Sequence, residues 1–224
     1  MPAIEEALTQ GINVNITLLF SVERYEAAAH AYLRALERRA AADKPIDRIA
    51  SVASFFLSRI DVLVDALLQQ RIEAVPANVS DPKALLGKVA VANAKLAYQS
   101  FQQLFAGAKW EKLANCGARL QRLLWASTGV KNPAYPELMY VEPLIGPMTV
   151  NTMPANTISA FEQHGRVRET VGEGIEEAHR VMAQLRAPGI DFAEVAAQLE
   201  AEGIQKFVEP YSELMRYIET KCQA

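Results

Sequence analysis

The chain has 224 residues, 50% of them hydrophobic and 22% charged, with a net charge of −3. A chain this apolar can bury enough surface to offset its conformational entropy, which excludes disorder, and it lacks the basic excess of a nucleic-acid binder. No apolar run is long enough to span a bilayer, and the opening MPAIEEALTQG lacks the basic start of a secretory signal.

Residues 2–10 read as the end of a helix stopped by Gly11. Residues 12–20, INVNITLLF, alternate and then turn fully apolar, which predicts a strand buried on both faces towards its end. Ser21 is the expected N-cap of a helix in which Val22, Tyr25, Ala29, Leu33 and Leu36 recur at helical spacing, until Asp43-Lys44-Pro45 breaks it. A second buried strand is predicted over 49–59, then a helix over 60–74, a turn-rich link over 76–82, and an amphipathic helix from Leu85 to about Phe105. A short helix around Trp110–Ala114 precedes a third strand over 122–127 and a loop with Gly129, Pro133 and Pro136. The last strand is 149–153, and helices over 155–164, 173–186, 191–202 and 204–221 complete the chain.

Short buried strands separated by helices mean an α/β fold with a parallel sheet and crossover connections. There is no glycine-rich phosphate fingerprint after the first strand, so a dinucleotide fold is not expected. A complete (β/α)8 TIM barrel needs eight strands and typically ~250 residues. The pattern here therefore predicts half a barrel with C-terminal helices. Cys116 and Cys222 form no CxxC or zinc pattern and read as thiols of a reducing cytosol, which places the chain in the cytoplasm. His30, His164 and His179 are isolated, so no metal site is expected.

Four segments carry a resemblance: GINVNITLLFS (11–21), SVASFFLSRID (51–61), LLWASTGVKNPAY (123–135) and YVEPLIGPMTVNTMP (140–154), joined by EGIQKF (202–207). Together they resemble the transaldolase family, in its longer bacterial branch. The resemblance implies a (β/α)8 barrel that moves a dihydroxyacetone unit between sugar phosphates through a lysine Schiff base, without metal or organic cofactor. The implied substrates are fructose 6-phosphate, sedoheptulose 7-phosphate, erythrose 4-phosphate and glyceraldehyde 3-phosphate of the pentose phosphate pathway. In that family the Schiff-base lysine lies on the fourth barrel strand, just upstream of the segment matched by NVNITLLFS. On this mapping residues 1–224 are a single barrel region holding strands five to eight. The lysine, with the family's acid/base Asp and Glu, falls before Met1.

The resemblance also nominates site residues. Asn15 and Thr17 lie two apart on one strand face. Asn15 matches the family's amide that hydrogen-bonds a sugar hydroxyl, and Thr17 the residue that helps hold the catalytic water. Asn13 shares their face as a weaker candidate. Ser127, at the end of the third strand, matches a substrate-contacting serine. Lys131, in the loop that follows, is the expected phosphate partner, since barrel phosphate sites are frequently built from the loops after strands seven and eight. Arg59, read at the end of the second strand, either binds phosphate or pairs with a carboxylate such as Asp61. Lys131 is not the Schiff-base amine, because a loop among Gly, Asn and Pro does not supply the burial that depresses an amine pKa.

Two further readings stand beside the enzyme. One is a non-catalytic remnant that binds sugar phosphate or acts as an interaction module, and the other is an unrelated four-strand α/β binding protein. Half a barrel has open edges and an uncovered apolar face, so the chain is also expected to aggregate or to form an oligomer that buries those edges.

Overall fold

The computed structural model describes residues 1–74 and 82–222. Four strands, β1 (Val14–Leu19), β2 (Ser51–Phe56), β3 (Arg122–Ala126) and β4 (Thr149–Asn151), form one sheet in the order β1-β2-β3-β4. All three pairings are parallel. Each strand thus lies beside its successor; helices fill the β1–β2 and β2–β3 crossovers, whereas β3 and β4 are joined by a long loop with a single 3-10 turn over Glu142–Leu144. This sequential parallel winding bears out the α/β expectation and is the winding of a barrel wall.

The helices are α1 (Pro2–Gln10), α2 (Val22–Ala41), α3 (Ser58–Ala74), α4 (Val89–Leu104), α5 (Gly107–Asn115), α6 (Ala155–His164), α7 (Ile175–Gln184) and α8 (Phe192–Cys222). Gly11 ends α1 as expected, in the left-handed conformation at φ 98°, where a side chain would add strain. Ser21 caps α2 by accepting a bond from the Arg24 amide at 3.3 Å. Along α2, Tyr25, Ala28, Ala29, Tyr32, Leu33 and Leu36 are buried at helical spacing against the core. Burying a Leu of this kind contributes about 1.5–3 kcal/mol relative to leaving it exposed.

Strand parity divides the sheet. Ile16, Ala53, Phe55, Leu123 and Trp125 are buried under the helices. Phe55 and Trp125 meet edge to face at 6.1 Å, and the Trp125 indole N–H donates to the Leu144 carbonyl at 3.0 Å. A buried indole without that acceptor would carry an unmet donor. The other face carries Asn15, Thr17, Val52, Ser54, Phe56, Leu124 and Val150, as the register Asn15 to Val52 and Ser54 to Leu124 to Val150 requires. There Asn15 and Thr17 are exposed, and Val52, Phe56, Leu124 and Val150 are half-buried.

Several boundaries differ from the sequence expectations. The first strand begins at Val14, with Ile12 56% exposed in the preceding turn. The second ends at Phe56 rather than residue 59, because Ser58 already opens α3 and the Leu57 amide bonds across to the Ala126 carbonyl. The amphipathic helix is preceded by a 3-10 turn over Pro82–Leu85, and the rest of the expected 76–82 link lies outside the described residues. The two expected C-terminal helices are one continuous α8 that runs through Gly203 and Pro210. Gly203 is a point of close approach rather than a stop. A Cβ there would lie 2.8 Å from Leu18 Cδ2, so a larger residue would have to push the Leu18 methyl aside where α8 crosses the end of β1.

Candidate active site

The C-terminal ends of the strands carry two left-handed residues that are not glycine, Leu18 (φ 59°) and Ser127 (φ 57°). Such backbone is uncommon outside glycine and concentrates at functional sites. At Leu18 it accompanies an irregularity in the β1–β2 register between Ile16 and Leu19.

On the open face the Ser54 hydroxyl donates to Asn15 Oδ1 at 2.6 Å. With its oxygen held there, the Asn15 amide N–H2 is turned outward as a donor. Thr17 follows one step further towards the strand end, exposed on the same face. Asn13 is different. Its Oδ1 accepts from the Ala50 amide at 2.8 Å, so it serves the β1–β2 junction.

Beyond the strand ends, Ser127 Oγ and Ser58 Oγ are 2.8 Å apart, and the Ser58 amide donates to the Ser127 carbonyl at 2.9 Å. Arg59 sits in the first turn of α3 rather than at the end of a strand. Its guanidinium lies 5.2 Å from the centre of the Phe56 ring, and it forms no ion pair with Asp61 or another carboxylate among the described residues. The carboxylate-pairing alternative for Arg59 is thus not what the fold uses, since both Asp61 oxygens are taken by Ala90 and Tyr140. Lys131 is exposed in the loop after β3, as expected. A cavity of about 370 Å³ brings Lys131, Arg59 and Ser58 together with Lys206 and Glu202 of α8. The rest of the wall is apolar, from Val62, Leu63, Ala66 and Leu199, and the three cations are what would suit it to an oxyanion such as a phosphate ester, with the Glu202 carboxylate opposing.

The geometry therefore forms two groups: Asn15, Thr17 and Ser54 on the sheet, and Ser58, Arg59, Ser127, Lys131 and Lys206 beyond it. Ser54, Ser58 and Lys206 were not singled out in the sequence. The signal for Ser54 was its even parity with Val52 and Phe56, which becomes informative only once the register with Asn15 is known. Among the described residues no set of three or more His, Cys, Asp or Glu could hold a metal ion, and no helix is long and apolar enough to cross a membrane.

The sequence profile of the Transaldolase/Fructose-6-phosphate aldolase family matches residues 1–218. This chain belongs to that family. A transaldolase of Trichodesmium erythraeum is 48% identical over 227 residues, covering 100% of this chain and 60% of the relative. Transaldolase 2 of Nostoc sp. is 46% identical over 228 residues, again 100% of this chain and 60% of the relative. A transaldolase of Frankia alni is 44% identical over 216 residues, 96% of this chain and 57% of the relative. The chain thus spans about 60% of the length of these curated family members.

Proposed function

We propose that these residues form the sugar-phosphate-binding wall of a transaldolase of the pentose phosphate pathway, acting in the cytoplasm. On this reading the chain supplies strands five to eight of a barrel, and a segment outside these 224 residues supplies the rest. The observation that carries the proposal is an amide, Asn15, bonded to Ser54 on the open face of the sheet, together with a cavity beyond the sheet to which Arg59, Lys131 and Lys206 contribute cations. The family match and the identity to transaldolases support it.

The chemistry needs an amine that adds to the ketose C2 carbonyl and expels water to form an iminium. Strands β1 to β4 contain no lysine, and the family resemblance puts the Schiff-base lysine before Met1, so on this reading the amine comes from the completing segment. A base takes the proton of the C4 hydroxyl, the C3–C4 bond breaks, and the aldose phosphate departs while the electron pair stays as an enamine. The enamine then attacks the carbonyl carbon of the acceptor aldose phosphate, and hydrolysis frees the amine. Within this sequence Asn15 donates to a sugar hydroxyl beside the reacting carbon. Thr17 helps hold the water through which protons move, and Ser127 contacts substrate. Arg59 and Lys131 hold the phosphate, fixing the reacting carbons by binding energy remote from them.

The test is borohydride trapping with fructose 6-phosphate followed by mass spectrometry. This chain alone is expected to give no reduced adduct. Mixed with the portion of the Trichodesmium transaldolase that it does not span, it is expected to give an adduct on a lysine of that added portion. An adduct on Lys131, or on any other lysine of this chain, would overturn the proposal.

A further inference from the structure

Two acidic side chains of α3, Asp61 and Asp65, are buried with exposures of 2% and 8%. They stand four apart, one turn above the other on the same helix face. Their partners repeat. Asp61 accepts from the Ala90 amide at 2.8 Å and from the Tyr140 hydroxyl at 2.8 Å. Asp65 accepts from the Gly87 amide at 3.0 Å and from the Tyr135 hydroxyl at 2.6 Å. Each carboxylate therefore ties α3 to the start of α4 with one oxygen and to the loop between β3 and β4 with the other. That loop is the one that carries Lys131.

We propose that Asp61 and Asp65 are positioning residues, a duplicated carboxylate clamp that holds the β3–β4 loop so that the Lys131 ammonium meets the substrate phosphate beside Arg59. The proposal rests on the phosphate reading of Lys131 given above. Arg59 and the two acids share α3, so the clamp links both cations to one rigid element. A cavity of about 280 Å³ has Asp61, Asp65, Tyr135 and Tyr140 in its wall together with Lys131 and Asn132. The 370 Å³ cavity with Arg59 and Lys206 also includes Lys131 in its wall. Lys131 therefore lines both the cavity beside the two carboxylates and the one that holds Arg59 and Lys206.

Two buried carboxylates are a costly way to hold a loop if stability were the only requirement. Apolar packing of similar volume commonly stabilises as well or better. Hydrogen-bonded carboxylates add direction, because each bond fixes a donor to within a few tenths of an ångström. That precision matters where a cation must meet a phosphate at one place, and a misplacement of about 1 Å can cost on the order of 100-fold in rate.

The test compares the full chain with a Tyr135→Phe/Tyr140→Phe variant, which keeps both rings and removes both hydroxyls. Limited tryptic cleavage after Lys131 reads the loop directly and is expected to be at least fivefold faster in the variant, with cleavage after Lys109 of α5 unchanged. Calorimetric titration is expected to show a roughly tenfold loss of affinity for fructose 6-phosphate and none for fructose, matching Lys131→Ala. Unchanged cleavage after Lys131, or equal loss for both sugars, overturns the clamp. If Lys131→Ala weakens fructose 6-phosphate and the double variant does not, the clamp is likewise overturned. If Lys131→Ala or the unmodified chain shows no phosphate-dependent binding, the phosphate reading fails, and the cleavage rates decide the clamp alone. Should the double variant not fold, Tyr135→Phe at the half-buried site is measured the same way.

Discussion

Ser54 and Asn15, 39 residues apart in sequence, meet at 2.6 Å on the open face of the sheet. Their bond fixes which end of the Asn15 amide points outward. Ser54→Ala removes the donor and lets the amide turn. If the chain binds sugar phosphate as proposed, affinity for fructose 6-phosphate is then expected to fall about fivefold, the equivalent of about 1 kcal/mol for one hydrogen bond. Calorimetric titration checks it, and an unchanged affinity would show that Asn15 is oriented by something else.

Gly87 precedes α4 at φ +66°, and a Cβ there would lie 2.8 Å from Tyr135 Cζ. Gly87→Ala is expected to lose about 2 kcal/mol or more, from left-handed strain and from displacing the ring off Asp65. Gly174 has the same φ of +66° with nothing within 4 Å, so Gly174→Ala carries the strain alone. Urea denaturation of the two variants separates the terms, and equal losses would mean that the contact with Tyr135 is soft.

Burial pushes the Asp61 carboxyl up to about 6 from an ordinary 3.8, the Asp65 charge adds to this, and the bonds from Ala90 and Tyr140 oppose it. The folded chain therefore keeps a proton on Asp61 over a pH range where the unfolded chain has lost it. The resulting stability is fully present below about pH 4 and is lost as pH rises through about 6. Asp61→Asn has no such proton. Its stability relative to the unmodified chain is expected to rise between pH 4 and 6, by on the order of 3 kcal/mol, and to level off above pH 7. Denaturation curves across pH 4–8 test this, and a flat difference would contradict it.

The second half of α8 is exposed and yet apolar. Ile204, Phe207, Tyr211, Leu214 and Ile218 follow one another at helical spacing, with exposures from 44% to 65%. A stripe this long on an uncovered helix favours association. Size-exclusion chromatography with light scattering is expected to show species larger than one chain at micromolar concentration. Phe207→Glu/Leu214→Glu is expected to shift them towards the monomer. A monomer without the substitutions would mean that the stripe drives no association.

The sequence by itself determined what depends on neighbours a few residues away. The alternation Asn15, Ile16, Thr17, Leu18 sorted β1 into an open and a covered face, and Ser21 and Gly11 marked the helix ends they cap, because capping and parity are local. The segments around these residues also sufficed for a family resemblance that the profile match supports. Tertiary structure decided the rest. Where the apolar run 49–59 stops being strand is ambiguous to periodicity, and the pairing of Leu57 and Ser58 with Ala126 and Ser127 settles it, which puts Arg59 on a helix. Gly203 reads as a helix stop until Leu18 is seen against it, since the cost of a side chain there comes from another element. Asp61 and Tyr140 are 79 residues apart, and their bond exists only because α3, α4 and the β3–β4 loop converge. Local pattern records which residues can face a core, whereas which polar groups meet across it depends on register and packing between distant segments.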